Sequence, residues 1–174
     1  MSRAARSETM PDEITVDCVI EDDRWQAAGL EDLAARAVQA ALNHHDLTGE
    51  VVVMGCDDAR IAALNADFRG KPRATNVLSW PSVEHLPHAP GAMPELPDEE
   101  ELGDIAIAYD TCLAEARAQG KPMDHHVQHL LVHATLHLLG YDHQTDPDAE
   151  RMEAVERTVL SALGIPDPYQ EKDR

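Results

Sequence analysis

The run Ile14-Thr-Val-Asp-Cys-Val-Ile20 is rich in β-branched residues and partly alternates apolar with polar, which predicts a first strand. Beyond it, Leu30, Leu33, Ala34, Val38, Ala41 and Leu42 recur three and four apart. That spacing predicts a helix over about 30–42 with one buried stripe. Residues 50–56 are mostly apolar and read as a buried strand. Either Asp57 or Asp58 can cap a helix over about 59–68, because a carboxylate there accepts a bond from a first-turn amide that has no partner inside the helix. Residues 75–80 then make a short strand.

The pattern breaks between residues 81 and 102, where Pro81, Pro87, Pro90, Pro94 and Pro97 precede an acidic run at 98–101. No helix or central strand survives that density of proline, so an insert at about 82–101 is expected, solvated or able to move as a flap. Regular structure resumes with a strand at 104–108 and helices at about 111–118, 124–139 and 147–163. Residues 1–12 are polar and unpatterned and predict a disordered arm, leaving 13–170 as a single domain without internal repeats.

Composition narrows the class. A chain of 174 residues with 43% hydrophobic content can bury a core without disulfides or a structural metal, so any metal needs another reason to be there. Cys18, Cys56 and Cys112 are odd in number and widely spaced, and read as small core residues. With neither an apolar span nor a secretory signal pattern, a soluble cytoplasmic protein without membrane contact is expected. The net charge of −19 argues against phosphate-backbone partners. Between residues 60 and 73, however, Arg60, Arg69, Lys71 and Arg73 face the single acid Asp67, a basic island able to hold a phosphate.

The chemistry concentrates on the helix from Asp124. His126, His129, His133 and His137 fall within a narrow arc, while Val127, Leu130, Leu131, Ala134, Leu138 and Leu139 cover most other directions. His133 and His137 stand one turn apart, a spacing that lets two rings reach one ion. Gly140 can then take a left-handed conformation and swing the chain back, making His143 a plausible third ligand. Three imidazoles suit zinc and leave a fourth position open for water. For His125, His126 and His129, supporting or surface roles are expected.

The spacing overlays the metalloprotease signature His-Glu-x-x-His-x-x-Gly-x-x-His, yet Ala134 stands where those enzymes carry a glutamate base. Alanine can neither take nor give a proton, which weighs against peptide hydrolysis. The stretch His133-Ala-Thr-Leu-His-Leu-Leu-Gly-Tyr-Asp-His143 resembles the motif His-Gly-x-Leu-His-Leu-x-Gly-Tyr-Asp-His of the bacterial endoribonuclease YbeY family, with Ala134 for Gly as its departure. Leu64-Asn65, Arg69-Gly70-Lys71, Thr75-Asn76-Val77-Leu78-Ser79, Leu102-Gly103-Asp104-Ile105 and Asp167-Pro168-Tyr169 extend the resemblance over most of the chain after residue 50. Pro72-Arg73-Ala74 replaces the family's usual Asp-Lys-Pro, and Trp80 its usual Phe.

The resemblance implies a zincin-like α+β fold: a small mixed four-stranded sheet packed with helices, and a metal site at the end of the buried histidine helix. It implies one Zn2+ on His133, His137 and His143. The implied activity is a single-strand-specific endoribonuclease of ribosomal RNA processing, at the 3′ end of 16S rRNA, and of ribosome quality control. The ribosome or a ribosomal protein is an expected partner, since recruitment would explain how so acidic a chain finds RNA. Arg69 matches the family's functional arginine and is assigned the catalytic role, with Lys71 as a further phosphate contact. Asp104 and Asp142 are candidates to hold a ligand's second ring nitrogen. A zinc peptidase or amidohydrolase, and a non-catalytic zinc-stabilised ribosome assembly factor, are the alternative readings.

Overall fold

Ten elements follow one another along the chain: β1 (Ile14–Ile20), α1 (Arg24–Ala27), α2 (Leu30–His44), β2 (Gly49–Cys56), α3 (Asp58–Arg69), β3 (Val77–Pro81), β4 (Glu101–Ala108), α4 (Tyr109–Gln119), α5 (Met123–Leu138) and α6 (Asp146–Ala162). They belong to a computed structural model that describes residues 13–82, 85, 88–97 and 100–169. The arm expected at 1–12 lies outside the described residues. The strands form one mixed sheet in the order β1-β2-β4-β3, with β1, β2 and β4 parallel and β3 antiparallel to β4.

Alternation along the strands separates two cores. Val51, Val53, Ile105 and Ile107 join the main core, beneath the helices. Ala106, Ala108 and Leu78 point to the other face, where Ile61 of α3 covers them in a smaller cluster. Helix α5 is the hub of the main core, packing on α2, α4 and α6 and lying along β3 and β4. This setting explains why α5 is apolar on nearly every side.

Local signals place the ends of the functional elements. Asp57, of the two cap candidates, accepts a bond from the Arg60 amide at 2.8 Å, and Gly70 ends α3 in the left-handed region with φ of 69°, so Arg69 sits in the last turn. Thr145 caps α6 by accepting from the Asp148 amide, a contact worth about 1 kcal/mol in a typical helix. At the end of α5, the Tyr141 amide donates to the Leu136 carbonyl and the Gly140 amide to that of His137. With Gly140 at φ of 110°, this is a glycine-terminated exit that turns the chain towards His143.

Two features depart from the sequence reading. The pattern missed α1, a single turn that seats the buried Trp25, whose ring N–H donates to the Cys56 carbonyl at 3.0 Å. The described part of the expected solvated insert is docked: Leu96 packs against the main core, His85 Nε2 lies 2.8 Å from the Leu138 carbonyl, and Gly91 donates to Asp148. Proline forbids regular structure there but not contact. Cys56 and Cys112 are buried as expected, and Cys18 is half-buried.

Candidate active site

A cleft of about 470 Å³ gathers residues from α5, the turn after it, β3, the end of α3 and the C-terminal segment. His133, His137 and His143 line it together with Arg69, so the residues singled out as ligands and as phosphate contact meet in one place. A second hollow of about 240 Å³ shares Arg69, Val77 and Leu78 with the first and adds Lys71 and Arg73.

The two helical histidines each have one ring nitrogen engaged behind the cleft. His133 Nδ1 lies 2.5 Å from Glu156 Oε2, and His137 Nδ1 lies 2.6 Å from Ser79 Oγ. A proton on each Nδ1, donated to these oxygens, leaves the Nε2 lone pair free for a metal. Burial first, then the neighbouring His133, Arg69 and His143, lowers the His137 pKa to about 4, so its ring is neutral at pH 7 as ligation requires. His143, on the exposed turn, stacks on His133 with ring centroids 5.4 Å apart. Two imidazoles with oriented second nitrogens and a third on the turn fit a first-row divalent ion.

Among the described residues, the group of three ligand-type side chains drawn within 4.8 Å of one another is a different one, His88, Asp142 and Asp148; the histidine triad is gathered more loosely. Asp148 is already engaged, accepting from Gly91 N at 2.9 Å and Thr145 Oγ1 at 2.8 Å while it helps start α6. That neighbouring group therefore has a structural account, as the clasp between insert and helix.

Glu156 and Ser79 hold the His133 and His137 rings, and sequence reasoning had assigned a role to neither, although Ser79 stood in the family-like stretch 75–79. Asp104 is exposed on β4, in phase with Ala106 and Ala108, and so belongs to the α3 face of the sheet, away from the cleft lining. Asp142 does line the cleft, but its carboxylate accepts from the Gln144 amide within the turn. Tyr141 is buried against His45, with its hydroxyl 2.8 Å from that ring's Nε2. Glu156 is fully buried at 0% exposure in α6. Burial alone pushes its carboxyl pKa up, but hydrogen bonds from His129, His133 and Tyr169 outweigh this and hold it at about 2.

Of the three histidines expected in supporting or surface roles, His126 and His129 have specific ring partners. His126 Nε2 meets Glu115 at 2.8 Å, and His129 Nε2 lies 3.1 Å from Glu156 Oε1 and 3.2 Å from the Tyr169 hydroxyl. On the basic island, Arg60 pairs with Glu21 at 3.2 Å, whereas Arg69, Lys71 and Arg73 are exposed and have no ion pair among the described residues. Asn65 shapes their loop by donating to the Arg73 carbonyl at 3.1 Å and accepting the Lys71 amide on its own carbonyl. The substituted Pro72-Arg73-Ala74 segment thus has a fixed anchor.

The sequence pattern of the endoribonuclease YbeY family matches residues 15–164. Endoribonuclease YbeY of Paracoccus denitrificans is 63% identical over 166 residues, covering 94% of this chain and 95% of that protein. The same-named protein of Dinoroseobacter shibae is 52% identical over 168 residues, covering 92% and 93%. Among solved structures, the solution structure of a Thermotoga maritima protein superposes with a TM-score of 0.52 at 20% identity, covering 90% of this chain and 99% of that one, a likeness of fold.

Proposed function

The chain belongs to the endoribonuclease YbeY family, and from that premise we propose that it is an endoribonuclease whose cleft uses His133, His137 and His143 to hold one Zn2+ and Arg69 to hold the scissile phosphate. Hydrolysis of RNA follows from the family; ribosomal RNA processing in the cytoplasm, in contact with the ribosome, is the setting we assign to it. Residues 13–170 act as one catalytic unit. The observation that carries the reading is the meeting of three imidazoles and a guanidinium without an ion pair among the described residues in one cleft of about 470 Å³.

The ion, when bound, supplies acidification of water and a positive charge beside the phosphorus. Every other contribution comes from the chain. The Arg69 guanidinium can hold two phosphoryl oxygens at once and offset the charge that builds in the transition state. Lys71 and Arg73, in the adjoining hollow, draw the next phosphate of the strand and keep the scissile one in register. Glu156 and Ser79 hold the ligand rings so that no reorientation is needed when substrate arrives. Ala134, at the cleft wall, offers no proton donor for an amine leaving group, which separates this site from peptide hydrolysis. Aromatic side chains are 3% of the chain, too few for extended base stacking, which suits weak sequence preference.

The test is cleavage of an end-labelled RNA with a single-stranded tail by zinc-loaded protein, beside His137→Ala and Arg69→Ala at matched folding. Loss of cutting in both variants is expected. Equal cutting by all three would overturn the site, and a parent that is folded, zinc-loaded and inert, alone and with ribosomes, would favour the assembly-factor reading.

A further inference from the structure

The segment after α6 returns to the cleft. Asp167 receives Arg157 Nε at 3.2 Å on one oxygen and the Tyr169 amide at 2.8 Å on the other, while the Arg157 guanidinium lies 5.7 Å from the centroid of the Tyr169 ring. So fastened, the Tyr169 ring stands as part of the cleft lining, edge-on to His129 with centroids 5.5 Å apart. Its hydroxyl donates to Glu156 Oε1 at 2.5 Å.

Glu156 thereby has both oxygens engaged: Oε1 by Tyr169 and by His129 Nε2, Oε2 by His133 Nδ1. A carboxylate with no exposure cannot exchange these partners for water, so removing one leaves the others to rearrange. His129 is the group with most freedom to do so. It sits one turn before His133 on the same helix, at the spacing that would let those two rings share an ion, and its Nδ1 is buried without a partner among the described residues.

We infer that Tyr169 is a positioning residue of the metal site: through Glu156 it aims His133 into the cleft and keeps His129 out of the ligand set. The C-terminal segment is then a working part of the centre, and its fastening by Arg157 matters as much as its hydroxyl. This inference rests on the histidine triad being the metal site, as proposed above.

Tyr169→Phe keeps the ring and the cleft wall and deletes one donor; Arg157→Ala unfastens the segment without touching Glu156. The measurement is the dissociation constant for Zn2+ by competition with a chromophoric chelator, with the visible absorption of the Co2+-substituted protein as a second readout. Losses of about 10-fold in affinity for Tyr169→Phe, a like or smaller loss for Arg157→Ala, and up to about 100-fold for Glu156→Gln are expected, the range found when partners of metal-bound histidines are removed. The Co2+ spectrum should shift in Tyr169→Phe, and His129→Ala added to it should restore the parent spectrum. On RNA, kcat should fall with KM unchanged. Unaltered Zn2+ affinity and Co2+ spectrum in Tyr169→Phe, a raised KM alone, or a spectral change that persists without His129 would each overturn the inference. Should Glu156→Gln fail to fold, Tyr169→Phe and Arg157→Ala still decide it. A parent that binds Zn2+ tightly and cuts no RNA would sink the functional reading and leave the affinity comparison standing, whereas a parent without Zn2+ binding would remove the premise itself.

Discussion

The two sides of the cleft are built on opposite terms. On the α5 side the polar groups are paired in advance: His133 with Glu156, His137 with Ser79, His129 with both Glu156 and Tyr169. On the α3 side Arg69, Lys71 and Arg73 stand exposed without an ion pair among the described residues, although the chain carries a net charge of −19. Prior pairing fixes direction, as a site for one ion of set geometry requires. Unpaired cations keep their charge and their freedom, which suits a flexible polyanion arriving with variable spacing. A whole-chain charge therefore says little about what one wall attracts.

The contrast breaks most severely at the ligands. His137→Ala should lose bound metal and RNA cleavage together, checked by metal content and by gel. Next comes Arg69→Ala, expected to lower kcat about 100-fold or more with metal content unchanged, since one group stabilising transition-state charge is typically worth that much. If Arg69→Ala also lost metal, the two walls would not be independent. Lys71→Ala and Arg73→Ala sharpen the comparison: each should reduce the slope of log affinity against log salt by about 0.7 for single-stranded RNA, leaving the metal affinity untouched. Chelation should abolish cutting yet leave a folded protein whose Tm is only lowered, because the main core owes nothing to the metal.

The smallest effect concerns the clasp between insert and α6. The Gly91 amide first, then the Thr145 hydroxyl, holds the Asp148 carboxyl below the usual carboxylate range. Because the folded-state pKa is the lower one, the stabilisation is full above about pH 4 and is lost as pH falls below it. The Gly91 amide resonance should report that loosening in the parent at acid pH and stay unchanged in Asp148→Asn.

Much of this was legible in one dimension. The first strand and the start of α2 could be read closely because burial there follows a single period, whereas the histidine helix, buried on nearly every side, was legible from its arc of histidines and the glycine after it. The meeting of His133, His137 and His143 in one cleft was legible because spacing of four and a glycine exit fix directions locally. Glu156 was not noticed, although it carried a signal: it lies within the apolar stripe of Met152, Val155, Val159 and Leu160, where a charged residue calls for a partner. Which of the acids Glu150, Glu153 and Glu156 turns inward depends on the phase of α6 against α5, a tertiary fact. Ser79 shares a face with Val77 on β3, and only the packing of β3 on α5 brings it to His137. The docking of the insert and of Tyr169 depends likewise on contacts between segments far apart in sequence.

Gly140, where the chain leaves α5 for His143, lies beneath the insert, and a Cβ added there would come within 3.1 Å of both His85 Nδ1 and Pro94 Cβ. Placement of His143, the proposed third ligand, is thus coupled to a covalent bridge lying some fifty residues earlier in the chain. A single protease nick between His88 and Leu96 would remove no ligand and leave the sheet intact, yet it would release the cover from the turn that carries His143. Cleavage in a stretch that looks dispensable by composition would then register as a loss of metal retention.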